Sequence, residues 1–231
     1  MELSQAQAKY VTIPWRRPYE LVIKRVLDVV CALVVLALLW PVMLLIIALV
    51  KLDSRGPALF VQKRIGRRGR SFQIYKFRTM THNLNDNAHN KFMQAFVKGN
   101  LSSPDASRSG HGTVVYKPFN ESQVTRIGRI LRKTSLDELP QVFNILKGEM
   151  SLVGPRPNVP YEVEAYKEWH MERLSVLPGI TGLAQVKGRS ALDFDTIARY
   201  DIEYARRMNV FLDIKILFAT VFSVVKGNGA G

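Results

Sequence analysis

From residue 29 to residue 50 the chain reads VVCALVVLALLWPVMLLIIALV, an apolar stretch without a charged side chain. Such a run meets the length needed for a helix at membrane depth and exceeds the core of a signal peptide. Residues 1–28 precede it, and the KLDSRGP that follows has no small-residue cleavage site. The run is therefore expected to stay as a membrane element. Trp40-Pro41 falls near its middle, and a proline there lacks the N–H that would bond the Ala37 carbonyl, so a kink or break is expected. Each half is then about 15–18 Å long, roughly half of a ~30 Å hydrocarbon core. Lys9, Arg16, Arg17, Lys24 and Arg25 lie before the run; Lys51, Arg55, Lys63, Arg64, Arg67, Arg68 and Arg70 lie after it. Cations on both flanks read as two cytoplasmic ends. A helix that dips, turns at Pro41 and returns satisfies this pattern. A kinked single span is the other topology the pattern admits.

Beyond the run the periodicity changes. ALFVQKRIGRRGRSFQIYKFRTM alternates as two short strands around a Gly66–Gly69 turn, with Phe72 and Ile74 sharing a face with Lys76 and Arg78, a hairpin with a basic end. Residues 81–122 are rich in Asn, Ser and Gly and read as an inserted, partly mobile loop, with a short helix in NKFMQAFVKG. QVTRIGRILRK is a basic amphipathic helix, suited to an anionic headgroup surface or to a solvated face. HMERLSVLPGITGLAQVKGRS reads as a helix end, a Pro/Gly turn and an extended piece. DFDTIARYDIEYARRMN reads as a helix capped by Asp193 or Asp195. FLDIKILFATVFSVV, interrupted by Asp213 and Lys215, is too short to span.

Charge sharpens this picture. Lys and Arg total 33 against 19 Asp and Glu, a formal net charge of +14, so an anionic partner is implied: phosphorylated ligands, an anionic membrane face or nucleic acid. Aromatic residues are not interleaved with the cations as a base-stacking platform needs. A membrane-tethered basic binding protein for lipid or nucleic acid is the alternative class to an enzyme. Cys31 is the only cysteine and excludes an internal disulfide. The four histidines have no metal-ligand spacing and read as loop or surface residues.

The candidate chemistry lies in SLDELPQVFNIL. Ser135 to Glu138 matches a capping box, which alone accounts for acids at a helix start. A helix start also holds phosphates through its free N–H groups. Adjacent residues on a helix point about 100° apart, so Asp137 and Glu138 cannot share one proton; one is free to attack while the other holds a metal. In VGPRPN, two prolines stiffen the backbone around Arg156, whose fork suits phosphate. Arg78, Arg132, Lys133 and Arg189 are further phosphate candidates.

Taken together, FVQKRIGRRGRSFQIYKFRTM, RKTSLDELPQVFNILKGEMSLVGPRP, LPGITGLAQVKGR and LDIKILFAT, in this order, resemble the bacterial sugar transferases that are monotopic polyprenyl-phosphate phosphoglycosyl transferases. The likeness runs over about residues 20–225. It implies an α+β, mostly helical fold: a basic segment 1–25, a re-entrant membrane helix 26–52 broken at Pro41, and a cytoplasmic catalytic domain 53–231 with interfacial amphipathic helices, a small β-hairpin and an inserted loop at 81–122. It implies transfer of a sugar 1-phosphate from a UDP-sugar to undecaprenyl phosphate, initiating surface glycan or exopolysaccharide synthesis. Asp137 matches the family's nucleophile, Glu138 its Mg²⁺-associated acid and Arg156 its Pro-Arg-Pro arginine. The surrounding cations are expected to keep Asp137 ionised. Expected partners are the two substrates and membrane lipids, with a second copy of the chain as a candidate and no nucleic acid. The expected location is the cytoplasmic face of the bacterial inner membrane. Many relatives carry a serine before the helix-breaking proline, where this chain has Trp40. Larger relatives have N-terminal spanning helices and an extra domain that this sequence does not show.

The basic flanks generate a direct test. In a Cys31→Ala background, cysteines placed at Lys9 and at Arg70 should both resist an impermeant thiol reagent on intact cells and both react after lysis. Labelling of the Lys9 site alone in intact cells would establish a span.

Overall fold

The computed structural model describes residues 18–81, 86–99, 123–188 and 192–225. Its first element, helix α1, runs Pro18–Asp53. The helix starts before the expected residue 26 and passes through Pro41 without interruption, so the expected break in secondary structure is corrected. Pro41 removes one backbone hydrogen bond, toward Ala37, and both residues lie on the exposed side of the helix.

The other side of α1 is a single stripe. Lys24, Asp28, Ala32, Met43, Ile46 and Val50 are buried, with Val35 and Leu36 partly buried between them and packed on the core. This is the three-and-four spacing of one helix face. Val30, Leu33, Val34, Leu38, Leu44, Leu45 and Leu49 are exposed on the rest of the surface. So α1 carries two apolar faces, one laid on protein and one open, and the open one is too extensive to face water.

The face laid on protein covers the hairpin. Strands β1 (Leu59–Ile65) and β2 (Ser71–Phe77) pair antiparallel from Leu59↔Phe77 to Ile65↔Ser71, joined by a turn in which Arg68 is left-handed at φ 55°. Phe72 and Ile74 pack with Ala32 of α1, Val142, Ile145 and Met150; Phe77 packs with Met43, Ile46, Val50, Ala58 and Leu131. Within the expected inserted loop, helix α2 spans Asp86–Lys98, and its Phe96 and Val97 pack with Ala165, Phe194 and Ala198. That part of the insertion is docked; residues 82–85 and 100–122 lie outside the described residues.

Helices α3 (Arg126–Thr134) and α4 (Val142–Lys147) follow, separated by a 3₁₀ turn at Leu136–Gln141. Strand β3 (Ser151–Val153) then pairs in parallel with β4 (Gly179–Thr181). This pair was not expected, since three residues carry no readable alternation. It depends on glycine: a Cβ at Gly179 would lie 2.1 Å from the Gly154 nitrogen. Helix α5 (Pro160–Glu164) and a 3₁₀ segment at Glu168–Ser175 bridge the two strands. The extended piece expected after the Pro/Gly turn is present as β4, but from Leu183 the chain forms the short helix α6 (Leu183–Lys187).

Helix α7 (Phe194–Arg207) is capped by Asp193, whose Oδ1 accepts from the Thr196 amide at 2.9 Å. Asp195 instead takes Lys167 and His170. His170 was expected at the surface, yet it is wholly buried among Tyr166, Trp169 and Phe194. Its two ring nitrogens meet the Lys167 amide and Asp195, which satisfies the buried ring.

Helix α8 (Val210–Val225) closes the fold and turns Asp213 inward. Lys24 Nζ donates to Asp213 Oδ2 at 2.6 Å and to the Val153 carbonyl at 3.1 Å. Tyr204 OH donates its one proton to Asp213 Oδ1 at 2.6 Å and lies 2.9 Å from the same carbonyl. Asp28 Oδ1 accepts from the Leu152 amide at 3.0 Å, and Arg25 donates to the Ile145 and Leu146 carbonyls. The charges at the start of α1 thus clamp it to β3, α4 and α8. Burial pushes the Asp213 carboxyl up, and Lys24 opposes that shift.

Removing one partner of this pair strands the other in a buried place. Lys24→Met should cost about 3–5 kcal/mol of stability, and Lys24→Met with Asp213→Leu should recover much of the loss. Thermal unfolding in detergent checks both, and additive losses would show that the pair is uncoupled.

Candidate active site

The site begins at the end of α3. Thr125 caps the start of that helix, its Oγ1 accepting from Gly128 N at 3.0 Å. The helix stops at Ser135, which adopts φ 57° and ψ 17° and whose amide donates to the Arg132 carbonyl at 3.2 Å. The chain then tightens into the Leu136–Gln141 turn. With three residues per 3₁₀ turn, Leu136 and Leu139 fall on one side, where both pack against the Met43–Ile46–Val50 cluster of α1. Asp137 and Glu138 are left on the other sides of the turn.

The capping box suggested by SLDE is not formed. Ser135 makes no side-chain cap bond, and the Glu138 carboxylate turns to Lys76, whose Nζ donates to Oε1 at 2.7 Å. Capping therefore does not account for the two acids. Lys76 comes from β2, on the same face as Phe72 and Ile74, which is how a strand delivers a cation beside a core.

Lys76 and Glu138 line a cleft with Arg64, Arg156, Gln141 and Gln185. Arg156 is exposed between buried Pro155 and Pro157. Three successive carbonyls in this loop are tied to separate elements. Gly179 N donates to Pro155 O at 2.9 Å, Arg173 Nη2 to Arg156 O at 3.4 Å and Arg64 Nη1 to Pro157 O at 3.0 Å. Arg173 is itself fully buried and held by Asp201, Asn158 and Tyr166. The backbone carrying Arg156 is thus fixed from below while its guanidinium stays accessible.

Asp137 is half-buried. Burial pushes its carboxyl above the ordinary range, Lys76 and then Arg132 pull it down, and the neighbouring Glu138 pushes it up; the net direction is upward. In the protein alone burial outweighs the two cations, because the carboxylate loses more hydration than they return.

Of the expected site residues the cleft lining includes Glu138 and Arg156; Asp137 lies next to Glu138 in the turn and feels the charge of Lys76 and Arg132. The structure does not bring in Arg78, which is buried and donates to Ser54 O, Ser54 Oγ and Val50 O at the end of α1. The β2 ladder ends at Phe77, so the next residue folds under α1 rather than into the cleft. Lys133 is exposed, and Arg189 lies outside the described residues. Pro41 sits in α1, away from these groups in sequence and on its open face. Lys76 and Arg64 were missing from the expected site, although the strand alternation already set Lys76 beside Phe72 and Ile74. Gln185 carried no signal, because a neutral amide in a five-residue helix has no pattern to stand out from.

For a divalent cation the donor set is Asp137 and Glu138; among the described residues no group of three or more His, Cys, Asp or Glu side chains is gathered. Two carboxylate donors fit Mg²⁺, which takes one or two protein carboxylates and completes its shell with water and phosphate oxygens.

Comparison with known proteins adds to this geometry. Residues 19–227 match the family model described as bacterial sugar transferase. The chain is 40% identical over 208 residues to the undecaprenyl-phosphate galactose phosphotransferase of Salmonella typhimurium, covering 90% of this chain and 41% of that protein. It is 40% identical over 214 residues to the exopolysaccharide production protein ExoY of Rhizobium meliloti, covering 93% and 90%. It is 38% identical over 211 residues to the UDP-glucose:undecaprenyl-phosphate glucose-1-phosphate transferase of Klebsiella pneumoniae, covering 87% and 40%. The chain therefore spans less than half the length of the first and third of these relatives.

The electrostatics of Asp137 give a stability test. A carboxyl raised in the folded state contributes stability that is lost as pH rises from its unfolded value through its folded one. At neutral pH Asp137→Asn should therefore raise Tm, by on the order of a few degrees, and the gain should vanish below the ordinary carboxylate range. A drop in Tm at neutral pH would return Asp137 to a structural role.

Proposed function

The chain belongs to the bacterial sugar transferase family, and from that premise we propose that it transfers a sugar 1-phosphate from a UDP-sugar to undecaprenyl phosphate. The observation that carries this reading is Glu138, paired with Lys76 on a cleft that also holds Arg64 and Arg156, with half-buried Asp137 beside it under the charge of Lys76 and Arg132. The acids ride on a turn whose leucines pack directly against the membrane helix. One substrate is a soluble anion and the other a lipid phosphate, and such a position serves both.

In the first half-reaction a carboxylate oxygen of Asp137 attacks the β-phosphorus. A new acyl-phosphate P–O bond forms, the bond from the β-phosphorus to the bridging oxygen breaks, and UMP leaves with that electron pair. In the second, a phosphate oxygen of undecaprenyl phosphate attacks the acyl phosphate, and the Asp137 carboxylate is restored. Arg156 and Arg64 offset charge on the transferring phosphoryl oxygens, Arg156 from a backbone that does not need to reorganise. Lys76 holds Glu138 in place between substrates. Asp137 and Glu138 would hold Mg²⁺, which neutralises diphosphate charge when bound. The raised affinity of Asp137 for a proton fits a nucleophile kept poorly hydrated, and such a carboxylate reacts more readily than a solvated one.

The topology follows the same reasoning. Both halves of α1, at Ala32 and at Met43–Val50, lie on one catalytic body. An upright span would carry one half out of that body's reach. We therefore read α1 as entering the bilayer from the cytoplasmic face and remaining on it, its open face in lipid, with the exposed Phe211, Phe218 and Phe222 of α8 as an interfacial stripe.

With a UDP-sugar labelled in the sugar and no lipid acceptor, the purified protein should release UMP in a burst of about one equivalent and retain label at Asp137. Asp137→Asn should abolish both, and a folded variant with near-normal turnover would falsify the nucleophile assignment. Glu138→Gln should lower turnover severely and full activity should not survive excess chelator. Arg156→Lys should lose turnover despite its charge, because the bidentate fork is gone.

A further inference from the structure

One residue lining the cleft, Gln185, carries a buried acceptor without a donor among the described residues. Gln185 sits in α6 and its Nε2 donates to the Ile180 carbonyl at 3.1 Å. That bond sets the amide's orientation, since only the NH₂ end can face a carbonyl. The Oε1 at the other end is buried, and among the described residues no donor reaches it. It lies over Gly182, where a Cβ would come within 2.6 Å of it. The space that holds this oxygen exists because residue 182 has no side chain. Native structures seldom leave a buried acceptor unpaired without a reason.

The rest of the lining supplies one. Arg64, Lys76 and Arg156 on the same cleft are cations suited to phosphate oxygens. A neutral carbonyl oxygen repels those oxygens and accepts only from an O–H or N–H. A diphosphate at neutral pH offers neither, while the sugar hydroxyls, the ribose hydroxyls and the uracil N–H all do. We infer that Gln185 is a specificity-determining residue, its Oε1 accepting a hydrogen bond from an O–H or N–H donor of the nucleotide sugar held in the cleft. This rests on the proposed function, and it adds a polar reader to a site otherwise built to hold charge.

The test uses the full chain in detergent with UDP-sugar and undecaprenyl phosphate. Gln185→Met keeps the length of the side chain and removes the acceptor. It also loses the Nε2 bond to the Ile180 carbonyl, so Tm should fall modestly in any case, while KM for the UDP-sugar should rise about tenfold or more with kcat close to wild type; a purely structural role would lower Tm and leave KM in place. Calorimetry with UDP alone assigns the source. Weakening by the same factor puts the donor on the nucleotide, and unchanged UDP affinity puts it on the sugar. Should the variant not fold, the wild-type protein is assayed with 3-methyluridine and deoxy-sugar analogues, of which at least one should lose about tenfold in kcat/KM. Normal turnover of every analogue, or an unchanged KM in Gln185→Met, overturns the inference while wild-type UMP release leaves the proposed function standing. Absence of wild-type UMP release overturns both.

Discussion

The contact between one face of α1 and the catalytic body is the constraint on which the other elements depend. A helix this apolar has no affinity for water on any side, so it must bury one face on protein and offer the rest to lipid. The protein face is secured at its polar start, where Lys24, Arg25 and Asp28 spend their charge on Asp213 and on backbone groups of α4 and β3. Charges at that depth need partners, and the partners chosen tie four elements together. The Val153 carbonyl receives both Lys24 and Tyr204, and the residues just after it are Gly154, Pro155 and Arg156. The docking of the apolar helix and the placement of Arg156 therefore share one stretch of backbone, β3 and the loop that follows it.

A second consequence appears at the other end of the packed stripe. Leu136 and Leu139 anchor the acidic turn against Met43, Ile46 and Val50, and a 3₁₀ turn that buries two leucines one turn apart must turn the residues between them elsewhere. The packing of their neighbours thus helps to orient Asp137 and Glu138. That leaves Glu138 available to Lys76. It also leaves Asp137 partly stripped of water, a condition that costs stability and suits reactivity, as is common where a site and a scaffold compete.

The existence of the membrane helix, the hairpin, the amphipathic α3 and the helices α7 and α8 was legible in the sequence, because each is long or periodic enough for its apolar pattern to stand out. The residue types of the candidate site were legible as well: Asp137 and Glu138 adjacent, Arg156 between prolines, an excess of cations. Short elements were not legible. The β3–β4 pair is three residues long on each side, and α6 is five, lengths at which no period can be counted.

What only the tertiary structure decided is which groups meet. Arg78 and Lys76 lie two residues apart in one basic stretch, and the ladder's end sends one under α1 and the other to Glu138. His170 reads as a polar surface residue until the aromatic side chains around it are assembled. Ser135 and Glu138 have the spacing of a capping box, but a left-handed Ser135 breaks it, since a cap requires extended backbone at that position. The direction in which Asp137 titrates depends on burial against cations, a balance set by distance and hydration. A sequence determines residue types and their local periods; desolvation and contact between residues far apart in the chain come into being only when it folds.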